Sequence, residues 1–160
     1  MEMQHLDVTK ACAYIEKVLE EYPDTKVYIG CDSYKRKLKK GIWEAVYTTA
    51  LVVHLNGRHG CTVFGRVDRE RDYDQNKSRP SLRLMNEVYR VSELYLNVAD
   101  LIPDLEIEVH LDINPDVKHG SSCVIQQAVG YIRGVCGVTP LVKPDAWAAS
   151  HVADRFRVAA

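Results

Sequence analysis

Residues 105–114 read LEIEVHLDIN, and apolar and polar residues alternate along them almost without error. Leu105, Ile107, Val109, Leu111 and Ile113 share one face, while Glu106, Glu108, His110, Asp112 and Asn114 share the other. A period of two belongs to a β-strand, whose successive side chains point to opposite faces. Helical patterns flank this strand on both sides, so it is expected near the centre of an α/β sheet.

Upstream, Pro80 suits the first turn of a helix that runs to about Ile102 and stops before Pro103. Leu84, Val88, Val91, Tyr95 and Val98 form its apolar stripe. Downstream, a helix fits Ser122–Val135, with Gly137 just past its end. Val138–Val142 then reads as a short strand, and Pro144–Asp145 opens a last helix through Phe156. Nearer the start, Asp7 is a candidate N-cap for a helix reaching Tyr22, and Pro23 and Asp24 end it. Lys26–Asp32 alternates again, with Val27, Ile29 and Cys31 on one side. Ile42–Leu55 is rich in Val, Thr and aromatic residues. Asn56–Gly57 predicts a type I′ hairpin turn into a strand from about Arg58 to Val67, followed by a loop over Arg69–Arg79. Strands linked through helices imply parallel neighbours with right-handed crossovers. The expectation is an α/β chain forming one domain over residues 1–160, since no repeat, low-complexity tract or linker divides it. With the first helix set aside, the element order is that of the ribonuclease H fold.

Composition narrows the functional classes. The 160 residues carry a formal net charge of −1, so the protein is no polycation coating nucleic acid, and attraction to phosphate must come from local patches. No apolar run approaches the roughly 20 residues of a membrane helix. The opening MEMQHLDVTK lacks the layout of a secretory signal. The five cysteines are scattered without a CxxC pair, which predicts reduced thiols in a cytoplasm and no zinc knuckle. Neither a P-loop nor a dinucleotide GxGxxG is present.

Four acidic residues stand where secondary structure would favour something else. Asp32 ends the apolar strand Lys26–Asp32, where carboxylates are depleted; the plain alternative is an Asp in a turn. Glu87 falls on or beside the apolar stripe of its helix, where a charge must be paired with an arginine such as Arg83 or Arg90, lie at the margin, or bind metal. Asp112 closes LDIN near the C-terminal end of its strand, the end at which open α/β sheets bind ligands; the alternative is a wet strand face. Asp145 opens the last helix, where an N-cap is the competing role. Carboxylates converging at one end of a sheet repel unless cations sit between them. Hard oxygen donors without Cys or His select Mg²⁺ or Mn²⁺, and two such ions can drive phosphodiester hydrolysis.

YIGCDS (28–33), RLMNEVYR (83–90), VHLDIN (109–114) and VKPDAWAASHVAD (142–154), in that order, resemble the YkuK-type family of ribonuclease-H-like proteins. The resemblance spans about residues 26 to 156; IGCDS, HLDIN and KPDAWAASHVAD are its most specific pieces, and the helix with Glu87 is a looser match. It implies a ribonuclease-H-like fold, a five-stranded mixed sheet flanked by helices, here with an extra N-terminal helix. It also implies two Mg²⁺ or Mn²⁺ ions held by Asp32, Glu87, Asp112 and Asp145. Asp154 rivals Asp145 for the last place, although it lies over two turns into the expected helix.

Lys35, Arg36, Lys37, Lys39 and Lys40 form a basic run beside Tyr34 and Trp43. A solvated hairpin tip is the plain reading, and a surface tracking a nucleic-acid backbone is the functional one. His119–Ser122 precedes a helix and suits either a phosphate or an ordinary cap. His151 and Asp154 lack the longer His-to-Asp spacing of proofreading-type exonucleases. The resulting expectation is a cytoplasmic, metal-dependent nuclease acting on RNA, DNA or a hybrid. Its rivals are a non-catalytic nucleic-acid-binding or adaptor domain, and a hydrolase or binder of a small phosphorylated or cyclic nucleotide.

Overall fold

Val27, Ile29 and Cys31 and the facing residues Ile107, Val109 and Leu111 turn to one side of a five-stranded mixed sheet and bury there. The computed structural model describes residues 1–74 and 80–159. In chain order the elements are β1 (Glu2–His5), α1 (Val8–Glu21), β2 (Lys26–Lys39), β3 (Ile42–His54), β4 (Cys61–Arg71) and α2 (Ser81–Leu101). After these come β5 (Ile107–Leu111), α3 (Ile125–Cys136) and α4 (Ala153–Ala159). The strand order is β1-β4-β3-β2-β5. The β2/β3 and β3/β4 pairs are antiparallel, whereas β1/β4 and β2/β5 are parallel.

Two layers of helix cover the sheet. On one face α1, α2 and α3 pack Ile15, Leu84, Val88, Val91 and Ile132 against β2, β3 and β5. On the other, Ala148, Val152, Ala153 and Phe156 meet Ala50, Val52 and Val63. Gly65 makes that second layer possible: a Cβ there would lie 2.6 Å from the Phe156 ring. Asp7 caps α1 as its sequence predicts, accepting from the Lys10 N–H at 3.1 Å. Gly137 ends α3 with φ 71°, a left-handed conformation that glycine adopts without strain.

The structure departs from the sequence reading at several places. The strand of LEIEVHLDIN, expected near the centre, is last in the strand order, with only the Leu141 bridge beyond it. β4 runs through Arg71 into the expected loop Arg69–Arg79, of which residues 75–79 lie outside the described residues. Glu2–His5 forms an edge strand held by pairing with β4, in a segment too short to carry a periodic signal. The expected strand Val138–Val142 shrinks to a bridge in which Leu141 donates to Val109 O and its carbonyl accepts from Leu111 N. The Asn56–Gly57 turn is wider than type I′: His54 pairs with Cys61, a short 3₁₀ turn covers Leu55–Gly57, and Asn56 at φ 48° takes the left-handed position. The basic run Lys35–Lys39 is not a hairpin tip but the outer half of β2, paired with β3 up to the turn at Gly41. The last helical segment starts with a π turn over Ala148–Val152, leaving Asp145 in a turn ahead of it and not at a cap.

Candidate carboxylate site

The register of β2 and β5 sets the site. Cys31 is paired in parallel with Leu111, the last pair of the ladder, so Asp32 and Asp112 follow at the same level where the two strands part. Asp32 does not end its strand as expected; β2 continues past it, opposite Thr48 of β3. Asp112 lies just beyond β5, with its side chain 17% exposed.

Glu87 reaches the same end from α2. It is buried, 4% exposed, and accepts a short hydrogen bond from Ser33 Oγ, the residue next to Asp32. Its carboxyl is pushed well above the usual range, first by burial and then by the Asp32 charge. Asp112 adds to the rise, while the Ser33 hydroxyl and the Arg83 guanidinium oppose it. Burial and neighbouring anions both disfavour the charged form, so the three carboxylates share one electrostatic neighbourhood. Arg90, one expected partner of Glu87, is spent elsewhere: it pairs with Glu70 and Asp68 and lies over the Tyr47 ring.

Arg83 frames the other side. Its Nη1 donates to Ser33 O at 3.0 Å and to Ser33 Oγ at 2.7 Å, and its backbone N–H donates to Asp74 Oδ2 at 2.8 Å. Lys143 brings a second cation, with Nζ 2.7 Å from Asp112 Oδ1. The approach is off the hydrogen-bonding angle, so the contact is an ion pair, and that buried oxygen has no hydrogen bond among the described residues. Asp145 is exposed in its turn and Asp154 is half-buried in the first turn of α4. The charges that act on Glu87 are those of Asp32, Asp112 and Arg83. As the side chains stand, no three His, Cys, Asp or Glu residues among those described are close enough to hold an ion together.

A family model described as Ribonuclease H-like matches residues 10–157, nearly the whole chain. The chain belongs to this family, the YkuK family. No curated protein and no solved structure matches it. Membership carries a ribonuclease-H-like, nuclease-related fold, and the five-stranded mixed sheet with flanking helices is consistent with it.

The ribonuclease-H-like chain also divides its basic run into two kinds of residue. Lys35 Nζ is 3.3 Å from Asp72 Oδ2, 3.1 Å from Asp74 O and 5.2 Å from the centre of the Trp43 ring. Arg36 pairs with Glu44. Lys37, Lys39 and Lys40 are exposed. In His119–Ser122, which suited either a phosphate or an ordinary cap, Ser121 Oγ accepts from Asn114 N at 3.0 Å. No helix among the described residues is long and apolar enough to cross a membrane.

Sequence reasoning missed Ser33 and Lys143, because their roles depend on contacts distant in the chain, whereas Arg83, expected beside Glu87, does act on it and donates to Ser33. It also left His110 on a wet face. The ring is fully buried: Nδ1 accepts from Ala148 N–H at 3.0 Å, and Nε2 faces Glu108 Oε1 at 3.3 Å. Burial lowers its pKa, and the neutral ring pins the π turn to β5.

Proposed function

We propose that the protein is a metal-dependent nuclease that hydrolyses phosphodiester bonds of RNA, DNA or a hybrid in the cytoplasm. The observation that carries this reading is Glu87, a buried carboxyl tied to Ser33 and raised by Asp32 and Asp112. Burying a carboxylate beside two others is destabilising and is rarely kept without a functional return.

The donors fit a hard divalent cation. Asp32 and Asp112 act electrostatically on Glu87, so all three supply hard oxygen donors to one neighbourhood, and Asp112 Oδ1, ion-paired with Lys143, has no hydrogen bond among the described residues. Asp32, Glu87 and Asp112 would hold Mg²⁺ or Mn²⁺, with Asp145, or Asp154 in its place, completing a second ion. A pair of such ions supplies an activated water and charge stabilisation at the leaving oxygen. Ser33 fixes the Glu87 carboxylate, and Arg83 fixes Ser33. Lys37, Lys39 and Lys40 offer exposed charge to a phosphate backbone.

A second reading, a nucleic-acid-binding module without catalysis, is favoured by the Lys143–Asp112 ion pair, which neutralises one carboxylate without any metal. Oligonucleotides that are single-stranded, double-stranded or hybrid, incubated with Mn²⁺ or with EDTA at low salt, separate the two. Cleavage that needs Mn²⁺ and disappears in Asp32→Asn supports the nuclease. Binding without cleavage, alike in both proteins, gives the module. Hydrolysis of mononucleotide esters alone moves the substrate to a small nucleotide.

A further inference from the structure

Lys143 differs from the other lysines in where its ammonium goes. Its backbone N–H donates to Ile113 O at 3.0 Å, which fastens the turn that carries it to the chain just after Asp112. From there Nζ comes within 2.7 Å of Asp112 Oδ1. The Lys143 side chain is 40% exposed and borders a cleft of about 480 Å³ lined by Asn114, Pro115, Asp116, Pro144 and His151. The ammonium therefore has an open space to enter if it leaves the carboxylate.

We propose that Lys143 is an internal counter-ion that competes with a divalent cation for Asp112, yielding the carboxylate and turning into the adjoining cleft when metal binds. The inference rests on the reading of Asp112 as a metal ligand. A divalent ion approaching Asp112 Oδ1 would stand within a few Å of the ammonium, and two cations at that range repel strongly where water is partly excluded. Mg²⁺ also demands near-ideal geometry around its oxygens, which an ammonium on the same oxygen obstructs. Lys143 thus sets the metal concentration at which the site fills, and it keeps Asp112 paired below that concentration.

The test is Mn²⁺ binding followed by electron paramagnetic resonance, which reads the free ion and needs no substrate. Wild type is compared with Lys143→Met, Lys143→Arg, Asp32→Asn and, as a control for net charge, Lys17→Met on the exposed face of α1. Lys143→Met should bind Mn²⁺ about fivefold or more tightly than wild type, the low end of an ordinary coupling between two ligands. Lys143→Arg and Lys17→Met should stay near wild type. Lys143 lies in a partly exposed turn, so its removal should leave the fold intact; Lys143→Gln is the second variant should Met fail to fold. If wild type binds Mn²⁺ in an Asp32-dependent way and neither Lys143→Met nor Lys143→Gln binds tighter, the counter-ion role is overturned while the metal reading stands. An equal gain in Lys17→Met also overturns it, since net charge would then be the cause. Mn²⁺ binding by none of the proteins, Lys143→Met included, overturns both.

Discussion

The hydroxyl of Ser33 on β2 donates to the carboxylate of Glu87 on α2, across 54 residues of sequence, and ties the helix to the residue beside Asp32. Ser33→Ala removes that donor from a buried carboxyl. Stability should fall by about 1–3 kcal/mol, the range for leaving a buried acceptor unsatisfied. Urea unfolding measures it, and a Ser33→Ala/Glu87→Gln double variant should lose less than the sum of the single changes.

Gly65→Ala should loosen the α4 side of the sheet, because the added Cβ falls 2.6 Å from the Phe156 ring. Overpacking of this kind costs about 1–3 kcal/mol. Thermal melts check it, and Phe156→Leu in the same chain should recover part of the loss by making room.

The basic residues of β2 should separate by role. Lys35→Gln strips the ion pair from Asp72, whose side chain is only 2% exposed, and should destabilise the fold. Changing Lys37, Lys39 and Lys40 to Gln should leave stability within about 0.5 kcal/mol, as surface changes do. The same three changes should weaken nucleic-acid binding and flatten its log–log salt dependence by about 0.7–0.9 per lost phosphate contact. Fluorescence anisotropy over a salt series reads the slope; an unchanged slope would leave these lysines as solvated charge.

Much of this arrangement was legible in the sequence where local periodicity carried it. The alternation of LEIEVHLDIN gives β5 and places Asp112 at its end, although only Ile107–Leu111 pair as a strand. Glu87 betrayed itself by falling on an apolar stripe, and it is buried as that position requires. The rest depended on distant partners. Nothing local in Glu2–His5 signals a strand, since β4 supplies all its order. The Asn56–Gly57 dipeptide favours a tight turn, yet the chain closes from Leu55 N to Gly60 O at 3.0 Å instead. Lys143 and Asp112 meet because the return of Leu141 to β5 brings them together, which residue type alone does not reveal.

If Asp32, Glu87 and Asp112 hold a divalent cation as proposed, thermal melts with Mn²⁺ or EDTA detect it without a known substrate. In EDTA, Asp32→Asn should be as stable as wild type or more so, since it relieves repulsion on Glu87. Asp112→Asn should gain less, because Asp112 also pairs with Lys143. Mn²⁺ should raise the wild-type melting temperature, a ligand at a hundredfold excess over Kd contributing about 2.7 kcal/mol. That rise should shrink or vanish in both Asn variants. Equal metal-induced shifts in wild type, Asp32→Asn and Asp112→Asn would contradict the site.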